Sequence, residues 1–152
     1  AARAYAVSNR CKVAVLLMET TGVKEEYCYS AYRVCVVDSS NTFQEWIEDE
    51  NWKTLPKGIL RSSVTNTTNI TADTADIGGA AETSCPALIF NSRGQLSNSS
   101  VITLRQGRYV SAATPPTIWT ERGGDGKIIS HPLEINQYSG KVTVTGITET
   151  DS

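Results

Sequence analysis

The chain has one histidine and no Cys-x-x-Cys pair among its four cysteines, so no zinc-ligand spacing can be read from it. It also lacks a Gly-x-Ser-x-Gly turn, which leaves His131, between Ser130 and Pro132, without a nucleophile to serve. That position reads as a turn carrying a surface histidine. No apolar run approaches the roughly 20 residues a membrane helix requires, and no basic-apolar-small signal opens the chain. Charge is scarce: the formal net charge is −2 with 20% charged residues, too little of either sign to draw the chain onto nucleic acid or anionic lipid. Helix formers thin out after residue 20, while Ser, Thr and 11 glycines are spread along the rest, which favours strands and turns. There are no internal repeats. At 152 residues the chain is expected to be one domain, burying roughly 70% of its unfolded surface without a covalent staple.

What is present is an unusual opening. Ala1, Ala2, Arg3, Ala4, Tyr5 and Ala6 are tolerable to strong helix formers, but no Ser, Thr, Asp or Asn precedes them to satisfy the orphan N–H groups of a helix start. The chain reads as entering mid-helix. Ala2, Ala6 and Asn9, with Tyr5 one step around, form a small-residue face suited to close packing on a sheet, and Arg3 and Arg10 point elsewhere. From Lys12, the run Val13-Ala14-Val15-Leu16-Leu17-Met18 is too short for a buried helix and reads as a strand covered on both faces. A second strand over 32–37 completes an antiparallel hairpin. The expected fold class is therefore α+β: a helix over residues 1–10 packed on antiparallel β-sheets, with hairpins from 12–38 and 87–145.

Further along, Trp46 and Trp52 stand among Glu45, Glu48, Asp49 and Glu50. This acidic, aromatic excursion is expected to contain one short helical turn over 43–48, its aromatics capping an edge of the core. The crowded carboxylates read as solvated rather than as a glycosidase acid–base pair. A strand is expected over 59–65, then a mobile or extended loop over 66–84, a Thr/Asn/Ala/Gly stretch with little to bury. Glycosylation at Asn66, Asn69 and Asn98 is the minority reading of triplets that arise by chance in a Ser/Thr-rich chain. Ala87-Leu88-Ile89-Phe90 and Val101-Ile102-Thr103-Leu104 are read as a hairpin around Asn91-Ser92-Arg93-Gly94-Gln95. Trp119 and Lys127-Ile128-Ile129-Ser130 bracket a turn-rich loop in which Asp125 lacks the alternating acids of a calcium site. Leu133 to Gln137 turns at Tyr138-Ser139-Gly140 into Lys141-Val142-Thr143-Val144-Thr145, and residues 148–152 read as a polar tail.

The cysteines allow three pairings. Cys28, in a turn-rich segment, and Cys85, just before Pro86, are expected near the surface and form the favoured bridge for an oxidising compartment. Cys11 and Cys35 are either paired with each other or buried as thiols.

The opening over 1–19, the Trp52-Lys53-Thr54-Leu55-Pro56-Lys57-Gly58-Ile59 segment, Ile89-Phe90-Asn91-Ser92-Arg93-Gly94 with Val101-Ile102-Thr103-Leu104, and Ile135-Asn136-Gln137-Tyr138-Ser139-Gly140-Lys141-Val142-Thr143-Val144 follow one another in an order that resembles the GspH/FimT family of minor type IV pilin-like proteins, or pseudopilins. The resemblance covers essentially the whole chain. It implies a non-enzymatic structural and interaction subunit of a type II secretion pseudopilus or a type IV pilus tip, without cofactor, metal or small-molecule substrate. Residues 1–10 would be the end of a stalk helix whose missing half anchors the protein in the inner membrane, 11–147 the extracytoplasmic β domain and 148–152 a tail. Ala2, Tyr5 and Ala6 would belong to the assembly helix, and the partners would be other pilins or pseudopilins.

Two alternatives follow. Some relatives resemble DNA-uptake pilins with a Gly-Arg-x-Arg strand motif, and the matching place here reads Gly140-Lys141-Val142-Thr143. One basic residue is kept and the second is replaced by Thr143, so nucleic acid is not the expected partner; Arg105, Arg108 and Lys141 are the residues that would contact it if their hairpins adjoin. The other alternative is a generic extracytoplasmic β-rich binding domain.

Overall fold

β1 (Lys12–Leu17) is the centre of the molecule: it pairs antiparallel with β2 (Ala31–Val37) on one side and β7 (Thr83–Phe90) on the other. The computed structural model describes residues 2–19, 23–110, 117–120, 128–144 and 148–150. The helix α1 (Ala2–Asn9) feeds directly into β1. It stops where Arg10 takes up φ 51°, the left-handed conformation usual just past a helix end, and Cys11 N–H closes the last turn on the Ala6 carbonyl at 3.2 Å.

The first sheet runs β3-β2-β1-β7-β6, with β3 at Phe43–Trp46 and β6 at Thr68–Ala72, and β4 (Lys53–Thr54) also pairs with β2. One of its faces carries small side chains, Ala14, Cys35, Cys85 and Ala87, grouped with Leu16, Met18 and Ile70. The edge strands β3 and β6 come into contact, so the sheet coils tightly around this face; small residues permit that approach where larger ones would fill the space. The opposite face packs Val13, Val34, Leu88 and Phe90 against Ala2 and Ala6 of the helix, together with Leu96 and Ile135. The second sheet runs β11-β10-β8-β5, from β5 (Ile59–Val64), β8 (Ser100–Val110), β10 (Ile128–Ile135) and β11 (Val142–Val144); β9 (Thr117–Thr120) pairs with β8, and β12 (Thr148–Thr150) with β10. A helix packed on antiparallel sheets, mostly strand, is the α+β class expected from the sequence.

Several expectations are corrected. Residues 43–46 form β3 rather than a helical turn, paired through Cys35↔Trp46 and Val36↔Glu45. Within 66–84, expected as a mobile or extended loop, Thr68–Ala72 form β6: Ile70 and Ala72 alternate inward between exposed Thr68, Asn69 and Thr71, and the whole strand pairs with β7, while residues 73–82 connect the two strands. β7 and β8 do not form a hairpin, because after residues 91–95 the chain crosses from the first sheet to the second. His131 stands in β10 opposite Leu104, exposed but not in a turn. Its neighbour Pro132, which has no N–H to donate, lies where β11 and β12 part: β11 pairs with 133–135 and β12 with 128–130. Thr148–Thr150, expected in a polar tail, are β12. The loop with Asp125, and Thr145, lie outside the described residues.

Candidate functional site

The side of α1 away from the sheets is the first candidate surface. Ala2 and Ala6 are buried and Tyr5 half-buried, whereas Ala4, Ser8 and Asn9 are exposed and Val7 is 45% exposed. Asn9 is not part of the buried face as its position suggested; its amide turns back to donate to the Tyr5 carbonyl at 3.1 Å. Arg3 does not simply point away. Its Nε donates to the Gly94 carbonyl at 3.1 Å, and its stem passes over both Gly94 and Gly140. These glycines, at φ 75° and 69°, close two turns of similar construction. In the first, Asn91 Oδ1 accepts from the N–H groups of Arg93 and Gln95; in the second, Asn136 Oδ1 accepts from those of Tyr138 and Ser139. Leu96 N–H donates to the Gln137 carbonyl at 2.8 Å and ties the two together. The helix is thus held by a sheet below and two glycine turns at its flank.

The three basic candidates do not converge: Arg105 and Arg108 are on β8, and Lys141 precedes β11, with β10 between the two strands. Arg105 stands opposite Ser130 and donates from Nε to its Oγ at 2.9 Å. Lys141 lies beyond the Ile135↔Val142 pair, at the level where Ile135 meets Ser100. At about 3.3 Å per residue, roughly 15–20 Å of strand separates it from Arg105, and Arg108 is farther along β8. Arg108 lines instead a cleft of about 620 Å³, which also holds Glu25, Glu26, Lys57, Tyr27 and Tyr109. Carboxylates mixed with the cations there oppose a polyanion.

All four cysteines are free thiols. Cys28 and Cys85, expected near the surface, are 2% and 0% exposed, and Cys35 is also fully buried; only Cys11 is partly exposed. Burial first, then the neighbouring Cys85, pushes the Cys35 thiol up to about 12. Burial with Glu25 raises Cys28 to about 11, and burial with Glu19 raises Cys85 to about 11. Cys11 is raised by burial and by Glu45. Cys28, Cys35 and Cys85 are thereby unreactive thiols at neutral pH, since the thiolate is the nucleophile.

Sequence reasoning missed two arginines. Arg33 lies 4.1 Å over the Trp46 ring, donates to the Glu50 carbonyl at 3.0 Å and pairs with Asp76 at 3.5 Å, fastening the aromatic cluster of Phe43, Trp46 and Trp52 to the first sheet. The three rings pack against the small-residue core, the capping role read from the sequence. Arg61 is 6% exposed in the middle of β5 and donates through Nη2 to the Met18 carbonyl at 3.1 Å. A lone arginine between leucine and serines carries no pattern that foretells burial.

Among the described residues no group of three or more His, Cys, Asp or Glu could hold a metal ion, and no helix is long and apolar enough to cross a membrane. No family model matches the chain, and no curated protein does. Among solved structures, the type IV minor pilin FimU of Pseudomonas aeruginosa (strain PAO1) is similar at a TM-score of 0.48 and 13% identity, over 99% of this chain and 84% of that one.

Proposed function

We propose that the chain is a minor pilin-like subunit, a structural and interaction component of a type II secretion pseudopilus or a type IV pilus tip rather than an enzyme. The observation that carries this reading is the seating of α1. Its Ala2 and Ala6 face is buried on the first sheet, and the helix runs through Arg10 straight into β1, which is hydrogen-bonded on both edges. A load on the helix therefore passes to the central strand, which cannot peel away without breaking two ladders at once. The same seating leaves Ala4, Val7 and Ser8 on the outer side, free for contact with other subunits. In this reading the β domain is extracytoplasmic, the helix continues toward the inner membrane, and the partners are other pilins or pseudopilins.

Reading the gene upstream of Ala1 tests it. A glycine followed by an apolar run with a glutamate near its start is expected, and a globular domain in that place overturns the reading. In the full-length protein, Ser8→Cys is expected to cross-link to other filament subunits in cells, whereas a cysteine at exposed Thr143 serves as the control site.

A further inference from the structure

A second cleft, about 220 Å³, opens between the two sheets. Val15, Leu17, Leu55, Ile102, Leu104 and Leu133 make its walls, so it is almost wholly apolar, and Arg61 with Tyr29 lines one side. Three features of that side stand out. The Arg61 side chain is nearly fully buried, and among the described residues no carboxylate lies within 4.0 Å of it. Among the described residues its side chain makes one hydrogen bond, to the Met18 carbonyl, which leaves further donors of a five-donor fork. Glu19, exposed just beyond β1, acts on the guanidinium only from outside ion-pair distance. Tyr29 holds the left-handed conformation at φ 55°, with its ring 5.8 Å from the guanidinium and 5.8 Å from the Tyr109 ring. A bulky residue at positive φ is a backbone cost of the kind that gathers at binding sites.

A buried cation that lacks a counter-charge is costly unless something pairs with it. We propose that this cleft binds a small apolar carboxylate, its carboxylate on the Arg61 guanidinium and its hydrocarbon body between Leu17, Leu104 and Leu133. The size fits: a dry apolar cavity of about 150 Å³ takes up benzene, so 220 Å³ holds a short acyl chain or a ring with its acid group. Arginine suits the task because its planar fork matches a carboxylate with two parallel hydrogen bonds. The proposal is independent of the filament reading, since it concerns a cleft that α1 does not line.

Titration of the folded protein with sodium octanoate, followed by the methyl NMR signals of Val15, Leu17, Ile102, Leu104 and Leu133, tests it. Saturable shifts confined to these methyls are expected, with octanol, the same chain without the charge, binding at least tenfold more weakly. Equal binding of octanol and octanoate would show an apolar crevice with no role for Arg61 and overturns the proposal, as do shifts that never saturate or that lie elsewhere. Arg61→Met is expected to abolish the preference for octanoate over octanol, and Leu133→Trp to fill the cleft and abolish binding of both. If either variant fails to fold, the octanoate and octanol comparison on the unaltered protein still decides. A free acyl acid and the C-terminus of a peptide offer the same carboxylate, and N-acetyl-leucine in a parallel titration separates them: tighter binding of octanoate assigns an acyl ligand, and tighter binding of N-acetyl-leucine assigns a chain terminus.

Discussion

Arg3 lies across Gly140: a Cβ placed on that glycine would stand 2.6 Å from Arg3 Cδ. The contact joins the first turn of α1 to the β10–β11 turn, 137 positions later in the chain, and it exists only because residue 140 has no side chain. Gly94 repeats the arrangement on the other turn, where a Cβ would stand 3.0 Å from Arg3 Cγ and 2.9 Å from Val7 Cγ2.

Gly58 supplies the control for this contact, because it also has positive φ, 87°, yet nothing lies within 4 Å of its would-be Cβ. Gly58→Ala should cost about 1 kcal/mol from the left-handed backbone alone. Gly140→Ala should cost that and about 1–3 kcal/mol more from overpacking against Arg3. Urea unfolding measures both, and adding Arg3→Ala should recover most of the difference. Equal losses at the two glycines would mean that Arg3 swings aside freely.

Ile70 is 1% exposed and sits in a strand that pairs with β7 along five residues. Ile70→Ala should destabilise the fold by about 2–5 kcal/mol. Amide exchange across Thr68–Ala72 should be slow and comparable with that of β7. Fast exchange there would return the stretch to the loop that composition alone suggests.

Iodoacetamide at pH 8 should modify Cys11 alone in the folded protein and all four thiols once it is unfolded. The thiols of Cys28, Cys35 and Cys85 rise from an ordinary value of 9.0 to about 11, 12 and 11 on folding, so in alkali the unfolded chain loses these protons first. The folded state then binds more protons than the unfolded one, and stability falls as pH rises. The fall should begin near pH 9 and continue toward pH 11–12, and replacing Cys35 by Ala should flatten it. A linked Cys28–Cys85 peptide recovered without reduction would overturn the free-thiol state.

Trp52 Nε1 is buried and, among the described residues, has no hydrogen-bond partner. An indole N–H left unpaired away from water costs about 1–3 kcal/mol, which offsets part of what the ring gains by packing 5.6 Å from Trp46. Trp52→Phe should therefore leave the thermal midpoint unchanged or raise it by a few degrees, where most large core replacements lower it. A drop of more than about 3 °C, roughly 1 kcal/mol for a chain of this size, would show that the indole makes a polar contact with water.

The local chemistry of residues 2–37 decided much of the fold before any long-range contact was considered. Two alanines four apart can only pack closely on a flat surface, and an apolar β-branched run after them can only be a strand covered on both sides; the structure has both, in that order. Gly94 and Gly140 marked their turns for the same reason, since a left-handed glycine acts within a few residues, whereas the part of Asn136 as acceptor for its turn came only with the structure. What the chain could not announce was partnership. Phe43–Trp46 and Thr68–Ala72 have weak hydrophobic patterns because each is an edge strand with one outward side, and their identity as strands comes from β2 and β7, which supply the missing hydrogen bonds. The strands flanking Asn91 looked like a hairpin because they are neighbours in sequence, but β7 is hydrogen-bonded between β1 and β6 and β8 between β10 and β5, so the chain divides them between two sheets. Arg61 is the extreme case: nothing local to Leu60 and Ser62 makes it differ from a surface arginine. Only the closing of β5 against Met18 and Tyr29 withdraws its charge from water.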